Sequence, residues 1–253
     1  MKITRKDFLR LTGLSLLAGG GMKAVRGIAE YAGEAPRGSA AKPVRWGMVI
    51  DLKKCQSGCD LCIKACNQAH NIPQFADRAH EVKWIWNETF KAVFPFAETA
   101  YTQQSYAAAQ VPLMCNHCDN PPCTRVCPTQ ATWKRDDGIV MMDWHRCIGC
   151  RYCIAACPYG SRSFNWQDPR PAIASVNPDF PTRTKGVVEK CNFCEERLAR
   201  GLGPACAAAC PEKAFIFGNL ADPDSEPRQL LRSRFAVERE PELGTGPSVY
   251  YLV

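Results

Sequence analysis

Apolar positions along this chain come in short bursts, and no run approaches the roughly 18 consecutive apolar residues that a membrane-crossing helix needs. The first burst, residues 11–22, follows a charged stretch at residues 2–10 and is short and glycine-rich, the layout of an export signal. Residues 24–41 are rich in Gly, Ala and Pro and read as a flexible connection. Val82, Trp84 and Trp86 fall on one face of an expected strand, a face that belongs in a core more readily than at a docking surface. Residues 131–135 and 139–142 flank Asp136-Asp137-Gly138 and predict two short strands joined by a glycine-containing turn. Between Asn165 and Pro181 the prolines at 169, 171, 178 and 181 interrupt any period, so this stretch is expected to be a surface loop or a subunit contact. Residues 195–205 predict a short helix ended by Gly201, Gly203 and Pro204.

Composition changes this picture in two ways. Of the 253 residues, 46 % are hydrophobic and 23 % charged, which fits a globular chain and argues against disorder. The formal net charge is +7, but residues 1–45 hold nine Lys and Arg against three acids, a net of +6, which leaves +1 for the remainder. The basicity belongs to the N-terminus, and no basic stripe with interleaved aromatic residues remains to favour nucleic acid. Thr4-Arg5-Lys6-Asp7-Phe8-Leu9-Arg10 resembles the twin-arginine export signal, with Lys6 in place of the second arginine. That resemblance implies an exported chain, periplasmic or on the outer face of the cytoplasmic membrane.

The chemistry lies in cysteine. There are sixteen, and they form four quartets with none left over: Cys55, Cys59, Cys62, Cys66; Cys115, Cys118, Cys123, Cys127; Cys147, Cys150, Cys153, Cys157; and Cys191, Cys194, Cys206, Cys210. Export and an even count would suit disulfides, but closing a C-x2-C pair removes little chain entropy from the unfolded state. Zinc also uses C-x2-C pairs, though a structural zinc site takes two pairs separated by a longer loop. The third quartet reads C-x2-C-x2-C-x3-C-Pro, the ligand run of bacterial ferredoxins, whose fourth cysteine serves a neighbouring cluster. The second and fourth quartets repeat it with insertions. The first has C-x3-C at its start, with Gly58 available to bend the loop, and Asn67 where the others have proline. Iron-sulfur clusters are therefore favoured over a zinc- or disulfide-stabilised binding module. Four cysteines per cluster leave no vacant iron, so one-electron transfer is expected, and any catalysis would lie on another subunit. His117 and His145 lie beside cysteines but are not needed as ligands, and His70 and His80 read as surface or packing residues.

The four-quartet layout resembles the four-cluster ferredoxin-type subunits of membrane-bound respiratory oxidoreductases, the family of the beta subunits of dimethyl sulfoxide, polysulfide and formate enzymes. The stretches that carry the resemblance are Cys115-Asn116-His117-Cys118-Asp119-Asn120-Pro121-Pro122-Cys123, Arg146-Cys147-Ile148-Gly149-Cys150-Arg151-Tyr152-Cys153, and the ending from Pro241-Glu242-Leu243-Gly244-Thr245 to Val249-Tyr250-Tyr251-Leu252. Asp143-Trp144-His145-Arg146 and the run from Ser161 through Arg162 to Trp166 are similar to exported subunits of dissimilatory sulfur metabolism.

The resemblance implies an α+β fold of two bacterial-ferredoxin-like modules with loop insertions, each binding two 4Fe-4S clusters. The expected divisions are residues 1–43 for export signal and connection, 44–110 for the first half of an outer module, 111–166 for an inner module, and 167–253 for a linker, the second half of the outer module and a C-terminal extension. Carried over residue by residue, cluster one takes Cys55, Cys59, Cys62 and Cys210, and cluster two takes Cys191, Cys194, Cys206 and Cys66. Cluster three takes Cys115, Cys118, Cys123 and Cys157, and cluster four takes Cys147, Cys150, Cys153 and Cys127. The implied partners are an NrfD-like integral membrane quinone-interacting subunit and a multihaem cytochrome c or other redox subunit, with membrane association through them. A molybdopterin catalytic chain is the alternative partner.

Overall fold

The computed structural model describes residues 43–95, 106 and 109–253. Apart from Pro43, the expected export segment lies outside the described residues. Strand β1 (Trp46–Asp51) is the centre of the fold because its residues Met48, Val49 and Ile50 are apolar on both faces and fully buried.

Six more strands form three small hairpin-like sheets beside it. These are β2 (Ile85–Thr89) with β3 (Gln110–Met114), β4 (Thr132–Lys134) with β5 (Val140–Met142), and β6 (Ser163–Phe164) with β7 (Val188–Glu189), each pair antiparallel. Strand β1 itself pairs antiparallel with β8 (Phe215–Asn219) and parallel with β10 (Val249–Leu252), and β9 (Ala236–Val237) covers the far edge of β10. A parallel neighbour requires a crossover; here nearly the whole described chain supplies it, so the first and last strands close the body on itself.

Helices are short and serve the cysteines. Among the described residues only α1 (Leu61–Ala69) exceeds two turns before the last quartet; α2 (Phe90–Val93), α3 (Pro122–Arg125), α4 (Tyr152–Ala155), α5 (Glu195–Leu198) and α6 (Ala205–Ala209) each make little more than one. Helix α7 (Glu226–Ser233) lays Leu230 and Leu231 over Val49, Ile216 and Leu252, while Met48, Ile50, Phe215 and Tyr251 face the main core on the other side of the sheet.

The hairpin expected around Gly138 is present as β4 and β5. The strand expected through Val82, Trp84 and Trp86 begins only at Ile85, whose partner in the register is Met114. Val82 and Trp84 are buried all the same: Trp84 lies on irregular backbone, its ring stacks on His70, and its indole N–H donates to Glu189 at 3.0 Å. The helix expected over residues 195–205 stops at Leu198, and a second one, α6, begins at Ala205 after Pro204. The proline-interrupted stretch runs over the surface but is pinned at three points. Asn165 and Phe180 are buried, and the Asn177 amide donates to the Asn71 side chain at 2.6 Å.

What secures this loop is a fully buried ion pair, Arg183 with Glu189 at 2.6 Å. The Arg183 guanidinium also donates to the carbonyls of His70, Asn71 and Pro181, and it lies within 5.4–5.7 Å of the ring centres of Trp84, Trp144 and Phe180. One side chain thus joins the end of α1 to the segment that leads into the last quartet. Removing one member of such a pair strands the other charge in low dielectric. Arg183→Met is expected to cost about 3–5 kcal/mol of stability in urea unfolding. A loss below about 1 kcal/mol, the scale of an exposed pair, would contradict this account.

Candidate metal centres

Helical spacing decides which sulfurs meet. Residues four apart on a helix share a face, one turn from each other. Helix α1 carries Cys62 and Cys66 in this relation, and α6 carries Cys206 and is capped by Cys210. Cys123 in α3 is followed by Cys127, and Cys153 in α4 by Cys157. Helix α1 packs on α6, and α3 on α4, so each helix pair offers sulfurs to two sites at once.

The result is four convergences. Cys55, Cys59, Cys62 and Cys210 line one small cavity with Leu61, Pro211 and Phe215. Cys66 lies against Cys191, Cys194 and Cys206, away from most of its own quartet. Cys115, Cys118, Cys123 and Cys157 line a third cavity with Tyr159 and Arg162, and Cys127, Cys147, Cys150 and Cys153 a fourth with Ile148 and Gly149. Every quartet therefore keeps three cysteines and hands its fourth to a neighbour. The extra residue of the first quartet is absorbed by Gly58, whose φ of +78° lets the loop turn back before Cys59. All sixteen thiols are free of disulfides.

Electrostatics couples the four sites. Burial, followed by Cys55, pushes the Cys62 thiol up to about 12, and burial with Cys115 does the same for Cys118. Cys66 and Cys206 are raised well above the ordinary thiol value by burial and by the sulfurs around them, Cys62 among these. After burial, the strongest influence raising Cys191 is Cys115, and Cys123 acts likewise on Cys153. Sulfurs of different sites thus influence one another: Cys62 acts on Cys66 and Cys206, Cys115 on Cys191, and Cys123 on Cys153.

The sulfurs are also aimed at by backbone donors. The amides of Phe193, Ala205 and Ala214 donate to Cys191, Cys194 and Cys210 at 3.3–3.4 Å. At Cys127 burial acts upward, yet hydrogen bonds from the Thr129 hydroxyl and from the amides of Thr132, Thr129 and Ala131 outweigh it and lower the thiol. Sulfurs gathered in fours in buried cavities and flanked by N–H donors suit a cationic group between them, which would let them bind as thiolates. The donor set fits a 4Fe-4S cluster at each site, held by thiolates and modulated by N–H donors to sulfur.

None of the four histidines lines the three cysteine cavities. Val140 N–H donates to His117 Nδ1 at 3.0 Å, and the ring stacks on Phe193 with centres 3.7 Å apart. Burial, then Lys190 and Arg162, hold His117 neutral. His70 is fully buried, stacked on Trp84, with Nδ1 3.0 Å from the Cys66 carbonyl and Nε2 3.0 Å from Glu196. His70, Glu196 and Cys194 bring their polar atoms within 4.8 Å of one another, so this trio lies beside the second site, of which Cys194 is part. His80 is half-buried near Asp77, and His145 is exposed. Nothing in the sequence pattern assigns Arg162 or Lys190 a place beside the cysteines, where they are buried at 5 % and 1 % exposure. The available signal was adjacency: Lys190 directly precedes Cys191, and Arg162 follows Cys157 by one short turn.

Comparison with known proteins places this geometry. Residues 106–172 match the family described as 4Fe-4S dicluster domain, and residues 146–214 match a second family of the same description. The chain is 40 % identical over 229 residues to the Hdr-like menaquinol oxidoreductase iron-sulfur subunit 1 of Archaeoglobus fulgidus, covering 82 % of each chain. It is 38 % identical over 234 residues to the menaquinone reductase iron-sulfur cluster-binding subunit of Nitratidesulfovibrio vulgaris, covering 83 % of this chain and 89 % of that one. To the arsenate respiratory reductase iron-sulfur subunit ArrB of a Shewanella species it is 37 % identical over 240 residues, covering 83 % and 96 %.

The fourth site offers a local test. Gly149 has φ +71°, and a Cβ there would lie 2.4 Å from the Gly186 carbonyl oxygen, between Cys147 and Cys150 in the chain. Gly149→Ala is expected to cost about 1–3 kcal/mol in overpacking and to loosen iron at that site. An unchanged melting temperature and iron content would contradict it.

Proposed function

We propose a specific place in respiration for this chain, which belongs to the family of four-cluster ferredoxin-type iron-sulfur subunits of respiratory oxidoreductases. It is an electron-transfer subunit with four 4Fe-4S clusters on an α+β fold of two ferredoxin-like modules. When bound, each such cluster accepts and releases one electron. The protein supplies the ligands, the order of the sites, and the exclusion of water.

The ligand sets we propose are the four convergences: Cys55, Cys59, Cys62 with Cys210; Cys191, Cys194, Cys206 with Cys66; Cys115, Cys118, Cys123 with Cys157; and Cys147, Cys150, Cys153 with Cys127. The observation that carries the reading is that each pair of sites is spanned by two packed helices, each contributing to both. Residues 44–110 and 167–253 then form an outer module around an inner one at 111–166. The cysteine walls and their N–H donors hold the sites in a single file, so an electron entering at one end has one route through.

The partners follow from the relatives named for menaquinol and menaquinone reactions. We place the chain between an NrfD-like integral membrane subunit that handles the quinone and a multihaem cytochrome c, exported by the twin-arginine route to the outer face of the membrane. The likeness of residues 143–146 and 161–166 to DsrO, the exported iron-sulfur subunit of a dissimilatory sulfur-metabolism complex, supports that setting. A second reading, the beta subunit of a molybdopterin oxidoreductase, is supported by the near-full-length match to the arsenate respiratory reductase subunit.

Purification from native membranes separates these. Copurification of an integral membrane subunit and a c-type cytochrome, with reduction of the iron-sulfur signal by a menaquinol analogue, is expected. Recovery with a large molybdopterin chain instead supports the second reading, and a protein that no quinol reduces contradicts the first. Ligand sharing is checked by Cys127→Ser. EPR of this variant is expected to lose the signal of the third-quartet cluster and keep that of the second; the reverse loss would contradict the sharing.

A further inference from the structure

Three Lys or Arg side chains are buried among the described residues: Arg162, Arg183 and Lys190. Arg183 is neutralised by Glu189. Lys190 directs its ammonium group at the carbonyls of Val140 and Cys191, which ties β5 to the start of the fourth quartet. Arg162 differs from both. No carboxylate pairs with it; its Nη2 donates to Cys123 Sγ at 3.0 Å and to Thr132 Oγ1 at 2.8 Å, and its Nη1 faces Met142 Sδ at 3.8 Å.

A guanidinium stays charged at any pH a protein meets, so it cannot escape burial by losing its proton. An unpaired buried charge costs several kcal/mol, roughly, unless an opposite charge lies close. What lies close to the Arg162 guanidinium is sulfur: Cys123 accepts its N–H, and Cys115, Cys118 and Cys157 line the same cavity. Arg162 itself lines the third cavity, and Met142, which its Nη1 faces, lines the fourth, so the guanidinium sits at the boundary of two sites. The cavity would be an expensive place for this side chain if the sulfurs beside it were neutral thiols.

We propose that Arg162 is the internal counter-ion of the two inner sites: its fixed charge, and its N–H···S bond to Cys123, raise the reduction potential of the third site and, more weakly, the fourth. The proposal rests on the ligand sets above. The step it tunes adds one electron, delivered along the chain of sites from the donor of the complex. No bond is made or broken, and no proton moves, because the guanidinium is already protonated. Net charge and hydrogen bonds to sulfur are the established levers on such potentials. Among the described residues no buried Lys or Arg stands in the first cavity, so the buried counter-charge favours holding an electron in the inner module rather than at the first site.

EPR-monitored redox titration of the holoprotein tests this with R162Q, R162M and R162K. In R162Q and R162M, two of the four midpoint potentials are expected to fall by at least a tenfold change in reduction equilibrium, about 59 mV for one electron, while the other two stay. R162K, which keeps the charge, is expected to retain most of the parent values. Methionine leaves no unpaired polar atom in the cavity, which keeps the test open should glutamine prevent assembly. Four unchanged potentials in R162M at full iron content would overturn the proposal, as would an R162K that falls as far as R162M. Loss of iron from all four sites in both charge-removing variants would also overturn it, in favour of a purely structural role. A parent protein lacking four clusters would instead overturn the ligand sets.

Discussion

Four sulfurs converge on each of four points, and the remainder of the described chain is arranged to make that convergence tolerable. Thiols held this close in buried cavities oppose one another's ionisation, as the raised Cys62, Cys66, Cys118 and Cys206 show. A cationic group in each cavity relieves the opposition and joins parts of the chain that have few other reasons to meet. Helices α3, α4 and α6 are about one turn long, too short to be stable through their own hydrogen bonds. Metal binding is therefore expected to order these helices, as in other metal-held modules.

Around those points the fold uses charge sparingly and inside. The formal charge of residues 46–253 is only +1, yet Arg162, Arg183 and Lys190 are buried. Each has a different solution: a carboxylate for Arg183, carbonyls for Lys190, and sulfur for Arg162. The first two are structural ties between segments distant in sequence. The third touches the sites themselves, so the same burial that would be a liability in an ordinary core becomes a control on electron affinity.

How much of this was legible in the sequence depends on the range of the interaction. The quartets and the hairpin around Gly138 were readable because their rules are local: cysteine spacing, a turn residue, short alternating strands. The fourth-cysteine exchange also follows a local rule, since positions four apart on a helix share a face, although which helices pair was available only from family resemblance. The parallel pairing of β1 with β10 has no local signature, because it closes a loop of nearly 200 residues. Trp84 was placed on a strand by its spacing, but its indole N–H had to reach Glu189, and irregular backbone delivers it there. Arg162 and Lys190 were illegible for a related reason. A basic residue in a pattern reads as solvent-facing, and only the sulfurs brought beside it by tertiary structure justify its burial.

The central claim is that the sixteen cysteines hold four iron-sulfur cubanes and nothing else. Quantitative iron, zinc and acid-labile sulfide analysis of the anaerobically purified chain tests it most directly. About 16 irons with as many sulfides per chain are expected, with zinc at trace level. A protein holding stoichiometric zinc and no labile sulfide would contradict the account.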